Sequence, residues 1–187
     1  MKNKDYPTVN YDAHARTVSP IDYWAQVKRT VHGKPVSDDQ IDLIHKTMCY
    51  GLDLQTDDVV LDLACGNGAL SRRLFSRCAG CVGIDISPYL IDIANRDFSK
   101  PPLYVFQVAD VAQFLGEEVH PDRFTKALCY GSFQYFPKEA SEQMLCQLYS
   151  RFTGVRKVFI GNVPDKERHH LFYTGRVDPS PVSRTPG

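Results

Sequence analysis

Short apolar runs and longer stretches of helical period follow one another along this chain. The clearest run is Val59, Val60, Leu61 and Leu63, unbroken enough for a strand buried on both faces. Val82, Ile84 and Ile86 predict a second strand. Leu103 to Val108 predicts a third, Phe124 to Cys129 a fourth and Val155 to Ile160 a fifth. Between them the period changes to that of a helix. Ile41, Ile44 and Met48 share one helical face, and so do Leu70 and Leu74. Residues 138–152 place Met144, Leu145, Leu148, Tyr149 and Phe152 on one side of another helix. Ser37 to Gln40 has the form of a capping box, with Gly51 as the C-terminal cap. Ser87 caps the helix after the second strand, and Pro88 suits its first position. This alternation predicts a doubly wound, mostly parallel α/β sheet with strand order 3-2-1-4-5 and helices on both faces.

The chemistry collects where strands end. The first strand runs into Asp62-Leu-Ala-Cys-Gly66-Asn-Gly68, and two glycines there allow a sharp turn and a close approach of backbone to a ligand. Amide groups at the start of the next helix favour a carboxylate or phosphate, so a nucleotide-like ligand is expected. A dinucleotide fingerprint would place a third glycine where Ser71 stands. Asp85 ends the second strand, 19 residues beyond Gly66, where a carboxylate can accept from both hydroxyls of a ribose. That spacing also suits NAD, so Asp85 alone does not choose the cofactor. Asp110 ends the third strand. Acids at three successive strand ends around one glycine turn are more specific than any one of them.

The stretch from Asp62 to Gly68 resembles motif I of class I S-adenosylmethionine-dependent methyltransferases, D-x-G-C-G-x-G, with Ala64 in place of the first glycine. The resemblance covers about residues 20–172 and implies a Rossmann-like fold and S-adenosyl-L-methionine as cofactor. It also implies a cofactor-binding set drawn from the strand ends. Asp62, Ala64, Cys65, Gly66 and Gly68 surround the methionine end, and Asp85 with Ile86 meets the ribose. Asp110 with Val111 meets the adenine, and the Tyr130 carbonyl receives the amino group. The segment Ile21 to Val31, with Tyr23, Trp24 and Val27, reads as a helix that is either a lid over the ligand or plain cover for the sheet. Tyr130, Tyr135 and Phe136 are either a substrate wall or core aromatics. No Asn/Asp-Pro-Pro-Tyr/Phe follows the fourth strand, which points away from methylation of base amines, and Gln134-Tyr-Phe-Pro137 there loosely resembles small-molecule methyltransferases. His120, Tyr135, His169 and His170 are bases by type, but nothing places one at the methyl, so the catalytic residues stay unassigned.

Composition narrows the reading. Lys plus Arg and Asp plus Glu are both 22 in 187 residues, so no net field favours nucleic acid or an acidic membrane. No run is apolar and long enough to span a bilayer, and no signal peptide is evident, so a cytoplasmic protein is expected. The six cysteines include one C-x-x-C, Cys78 and Cys81, without a second pair or His pair to complete a zinc site. No metal is expected. Residues 1–36 read as an irregular segment with the lid helix, 37–172 as the cofactor-binding domain and 173–187 as a disordered tail. Only 27 residues follow Ile160, too few for the family's C-terminal antiparallel hairpin. The expectation is a shortened chain, a naturally short member, or one completed by a partner or a second copy at the edge of the fifth strand. The other readings are a non-catalytic cofactor-binding or partner subunit and an NAD-dependent oxidoreductase.

Overall fold

The computed structural model describes residues 9–31, 34–165 and 167. The expected tail and the histidines at 169 and 170 lie outside the described residues.

Among the described residues, seven strands form two sheets. A two-residue antiparallel ladder joins β1 (Thr30–Val31) to β2 (Lys34–Pro35). The main sheet contains β3 (Val59–Leu63), β4 (Gly80–Asp85), β5 (Tyr104–Val108), β6 (Lys126–Tyr130) and β7 (Lys157–Gly161). Its order is β5-β4-β3-β6-β7 and every pairing is parallel. Counted within this sheet alone, that is the expected 3-2-1-4-5. The order reverses beside β3, and the crevice at such a reversal is where open α/β sheets take ligands.

Successive side chains of β3 point to opposite faces. Leu61 and Leu63 join Val82 and Ile84 in a core closed by Phe114 and Leu115 of α5 (Val111–Glu117) and by Met144 and Leu148 of α6 (Lys138–Arg151). Val60 faces the other way, among Met48 and Leu52 of α3 (Asp38–Leu52) and Leu74. On that second face α4 (Pro88–Phe98) seats Ile91, Ala94 and Phe98 against Phe106 of β5. Both faces of β3 are covered, so its apolar run is unbroken.

Several boundaries differ from the sequence reading. The capping box at Ser37 and Gln40 forms, but α3 continues through Gly51 and is capped by Asp53 at φ 48°. A Cβ on Gly51 would stand 2.4 Å from Cδ2 of Phe159, so this glycine makes room for a ring of β7. The helix after the glycine turn is a 3-10 helix, Ser71–Arg77. Ile86 lies outside β4 and is exposed, because Asp85 Oδ1 accepts from Ser87 N at 2.9 Å and turns the chain. In α6 only Met144 and Leu148 are buried. Leu145 and Tyr149 face solvent, on the flank of the stripe they were assigned to. Among residues 1–20, read as irregular, Tyr11–Ala15 form a short helix, α1.

Candidate active site

The turn after β3 is built on three residues with positive φ: Ala64 at 59°, Gly66 at 59° and Gly68 at 71°. Gly66 brings its backbone close to two of the protein's own side chains. Its N–H donates to Asp85 Oδ2 at 2.8 Å, and a Cβ there would meet Val27 Cγ1 at 3.0 Å. Gly68 does a different job. A Cβ on it would stand 2.7 Å from Phe106 and 3.0 Å from Ala94, so its bareness packs the turn against β5 and α4. Ala64 is less innocent than the loss of one hydrogen suggests, since the left-handed conformation costs a non-glycine residue about 1–2 kcal/mol.

A cavity of about 710 Å³ opens at the C-terminal ends of the strands. It is lined by Asp62, Ala64, Cys65, Gly66, Asp85, Ile86, Asp110, Val111 and Tyr130, so of the expected set only Gly68 lies off its wall. Its volume is within the range of small-molecule sites. Asp85 is held on both oxygens by backbone N–H groups of Gly66 and Ser87, each oxygen keeping a further lone pair for a ligand. Burial raises its pKa, partly offset by those bonds. Asp110 uses one oxygen, Oδ1, to cap α5 through Ala112 N and Gln113 N. Asp62 is the most enclosed of the three. Burial pushes its carboxyl up to about 7, with the neighbouring Asp85 adding to the rise, against the Ser71 hydroxyl that donates to Oδ2 at 2.6 Å. Ser71, where a dinucleotide fingerprint has glycine, is therefore the partner of the motif's own acid.

The N-terminal segment lies over this cavity. The helix expected over Ile21 to Val31 is one turn, α2 (Tyr23–Gln26), after which the chain passes into β1. Asn67, between the two glycines, donates from Nδ2 to the Tyr23 carbonyl and to Gln26 Oε1, both at 2.8 Å. Trp24 and Val27 then form part of the cavity wall. From α1, Asp12 Oδ1 accepts from the Ser87 hydroxyl at 2.7 Å and from Tyr89 N at 3.0 Å. Hydrogen bonds from Arg16, Ser87 and Tyr89 lower Asp12 to about 2. Tyr11 donates to the Tyr135 hydroxyl at 3.1 Å, joining α1 to the turn beyond β6.

Of the candidate wall, Tyr130, Tyr135 and Phe136 all line the cavity. His120 is exposed and is not brought there. Cys78 and Cys81 are buried thiols whose pKa values burial raises. Arg29, Asn67 and Asp12 line the cavity without having been singled out, and Gln134 lines it from the Gln-Tyr-Phe-Pro stretch. Asn67 was legible in principle as the polar residue of Gly-Asn-Gly, whereas Arg29 stands in no periodic pattern.

These elements define a doubly wound α/β protein with a ligand crevice at its switch point, fitted with acids on three neighbouring strands and roofed by its N-terminal segment. Residues 60–152 match the family model of a methyltransferase domain. An uncharacterized methyltransferase of Schizosaccharomyces pombe is 31% identical over 83 residues, 41% of this chain and 29% of that protein. The ubiquinone biosynthesis O-methyltransferase of Pseudomonas aeruginosa is 26% identical over 113 residues, 60% of this chain and 47% of that one. The chain thus spans less than half the length of these curated relatives. Among solved structures, a DhpI–SAM–HEP complex superposes with a TM-score of 0.58 at 18% identity, covering 91% of this chain and 70% of that one. A putative S-adenosyl-L-methionine-dependent methyltransferase of Methanococcus maripaludis gives 0.58 at 14% identity, covering 90% and 72%. The chain carries a methyltransferase domain over residues 60–152, with the fold of S-adenosylmethionine-dependent methyltransferases. Among the described residues, no helix is long and apolar enough to cross a membrane.

Proposed function

We propose that the protein transfers a methyl group from S-adenosyl-L-methionine to an oxygen, nitrogen or carbon of a small-molecule acceptor. The observation that carries this reading is the convergence of Asp62, Asp85 and Asp110 on one cavity beside the Gly66 turn. The donor set fits the cofactor. Asp85, fixed by two N–H groups, presents its remaining lone pairs to the ribose hydroxyls. Asp110, whose Oδ2 takes no part in the helix cap, is left to meet the adenine, with Ile86 and Val111 lining the same cavity. Asp62 meets the ammonium of the methionine end, and the positive φ at Gly66 lets the backbone come close.

When bound, the cofactor supplies a methyl group on a sulfonium already activated for in-line displacement. What remains for the chain is alignment and exclusion of water. Trp24 and Val27 exclude water from above, and Asn67 holds the segment that carries them. Of the candidate bases, Tyr135 lines the cavity and His120 does not, and no residue is assigned as catalytic base.

Calorimetric titration with S-adenosylhomocysteine and with NAD tests the cofactor, and binding of NAD alone would return the oxidoreductase reading. Turnover of labelled methyl groups across small acceptors separates an enzyme from a non-catalytic partner subunit. We also assign an oligomer or partner contact to β7, which pairs only with β6 among the described residues and so offers backbone groups along its other edge. Phe159 packs on α3, so Val158, 42% exposed, is the residue to change. Val158→Lys should convert an oligomer to a monomer in size-exclusion chromatography with light scattering. A monomer for both proteins would refute the contact.

A further inference from the structure

Two buried polar atoms in the cavity have no hydrogen-bond partner among the described residues: Nε of Arg29 and Oε1 of Gln134. One is a donor and the other an acceptor. Gln134 Nε2 donates to the Gly131 carbonyl at 3.0 Å, which fixes the orientation of the amide and turns Oε1 away from that bond. Arg29 lies with its guanidinium carbon 5.0 Å from the centre of the Tyr130 ring. A Cβ on Gly131 would be 3.7 Å from its NH2. Both residues therefore flank Tyr130 and Gly131, past the end of β6.

Charge in the cavity is unevenly shared. Asp12, Asp62, Asp85 and Asp110 line it, and Arg29 is the one basic residue among the described lining. The acids at the ends of β3, β4 and β5 lie to one side of the switch point, and the two unmatched atoms lie on the β6 side. Burial lowers the pKa of Arg29, and Tyr130 first, then Tyr11 and Asp62, oppose that, but a guanidinium stays charged throughout the ordinary range. A buried donor and acceptor left open in one cavity call for a ligand that supplies both partners. For a guanidinium fork that partner is a carboxylate or another planar oxyanion.

Resting on the methyltransferase reading, we propose that Arg29 and Gln134 form the acceptor subsite. The acceptor is then a small molecule with a carboxylate-like anionic group for Arg29 and a hydrogen-bond donor for Gln134 Oε1. Tyr135 and Phe136 supply an aromatic wall beside them, which favours a ring-bearing acid.

The test titrates benzoate and benzamide into the protein saturated with S-adenosylhomocysteine. It compares wild type with Arg29→Met, and uses Arg29→Lys with circular dichroism as a check that the fold is retained. Benzoate should bind at least about tenfold tighter than benzamide, and Arg29→Met should abolish that preference. Arg29→Lys should keep part of it, and affinity for S-adenosylhomocysteine should be unchanged in both variants. Equal binding of the two probes, or no binding of either, overturns the proposal. So does an Arg29→Met that loses affinity for S-adenosylhomocysteine but not for 5′-methylthioadenosine, because the anion is then the cofactor's own carboxylate. Should S-adenosylhomocysteine not bind wild type, the methyltransferase reading fails, and the same probes in the cofactor-free protein still decide for or against the anion subsite.

Discussion

The carboxyl of Asp62 gives the sharpest quantitative test, through Asp62→Asn. Burial raises this group from 3.8 to about 7. In the unfolded chain the proton leaves near pH 4, whereas the folded chain holds it until about pH 7. Between those values ionisation favours the unfolded state alone. Stability therefore falls as pH rises through that window and levels off above it. The whole difference corresponds to about 4 kcal/mol, a large share of the roughly 5–15 kcal/mol that holds a domain folded. The substituted amide would keep an acceptor for the Ser71 hydroxyl and carry no charge. Urea unfolding of both proteins at pH 5, 6, 7 and 8 covers the upper part of the window. The variant should gain on wild type by about 3 kcal/mol across that series, with most of the gain complete by pH 7. Depressed groups such as Asp12 are common to both proteins and cancel in the comparison. Affinity for S-adenosylhomocysteine should move oppositely. It should tighten in wild type as Asp62 ionises and be weaker by about tenfold in the variant, which has no charge to offer the ammonium. Parallel stability curves for the two proteins would show that Asp62 does not titrate in this range and would refute the reasoning.

Other consequences are separable. Asp85→Ala should weaken S-adenosylhomocysteine binding at least about tenfold; unchanged calorimetric affinity in a folded variant would remove Asp85 from the site. Asp110→Ala should lose about 1 kcal/mol of helix capping in a thermal or urea melt and reduce discrimination between adenine and hypoxanthine forms of the cofactor, whereas equal losses for both would count against an adenine contact. Ala64→Gly should stabilise the protein by about 0.5–1 kcal/mol in urea, the relief of a left-handed alanine less the added entropy of the unfolded chain. If the N-terminal segment closes over ligand, amides of residues 21–31 should gain hydrogen-exchange protection when S-adenosylhomocysteine binds, and Asn67→Ala should reduce the gain.

What was legible in the sequence is what depends on local pattern. The apolar runs located all five strands of the main sheet to within a few residues, because strands covered on both faces admit few polar side chains. Ser37 and Ser87 cap helices through bonds to residues three positions away, and such short-range chemistry is written directly in the order of residues. What escaped depends on distant partners. Gly51 looked like a helix end because nothing nearby shows that Phe159 needs its space. Gly68 looked like a ligand contact because its neighbours Phe106 and Ala94 come from elements further along. Arg29 has no local signature at all; it became visible only when β6 brought Tyr130 beneath it.

The same distinction explains why the roof of the site is its least legible part. Helices α1 and α2 are of five and four residues, too short to persist on their own side-chain pattern. Polar contacts tie them to the turns they cover: Asp12 to Ser87 and Tyr89, Asn67 to Tyr23 and Gln26, and Tyr11 to Tyr135. Each contact joins the segment to a different strand end. Asp12 reads the turn after β4, Asn67 belongs to the turn after β3, and Tyr135 follows β6. A segment tied to three turns around one cavity is sensitive to how those turns sit, and those are the turns a ligand would touch. Closure of the roof and occupation of the crevice are therefore coupled through the same few residues, while Tyr23 and Trp24 seat the segment on the core around Ile91, Ala94 and Phe98.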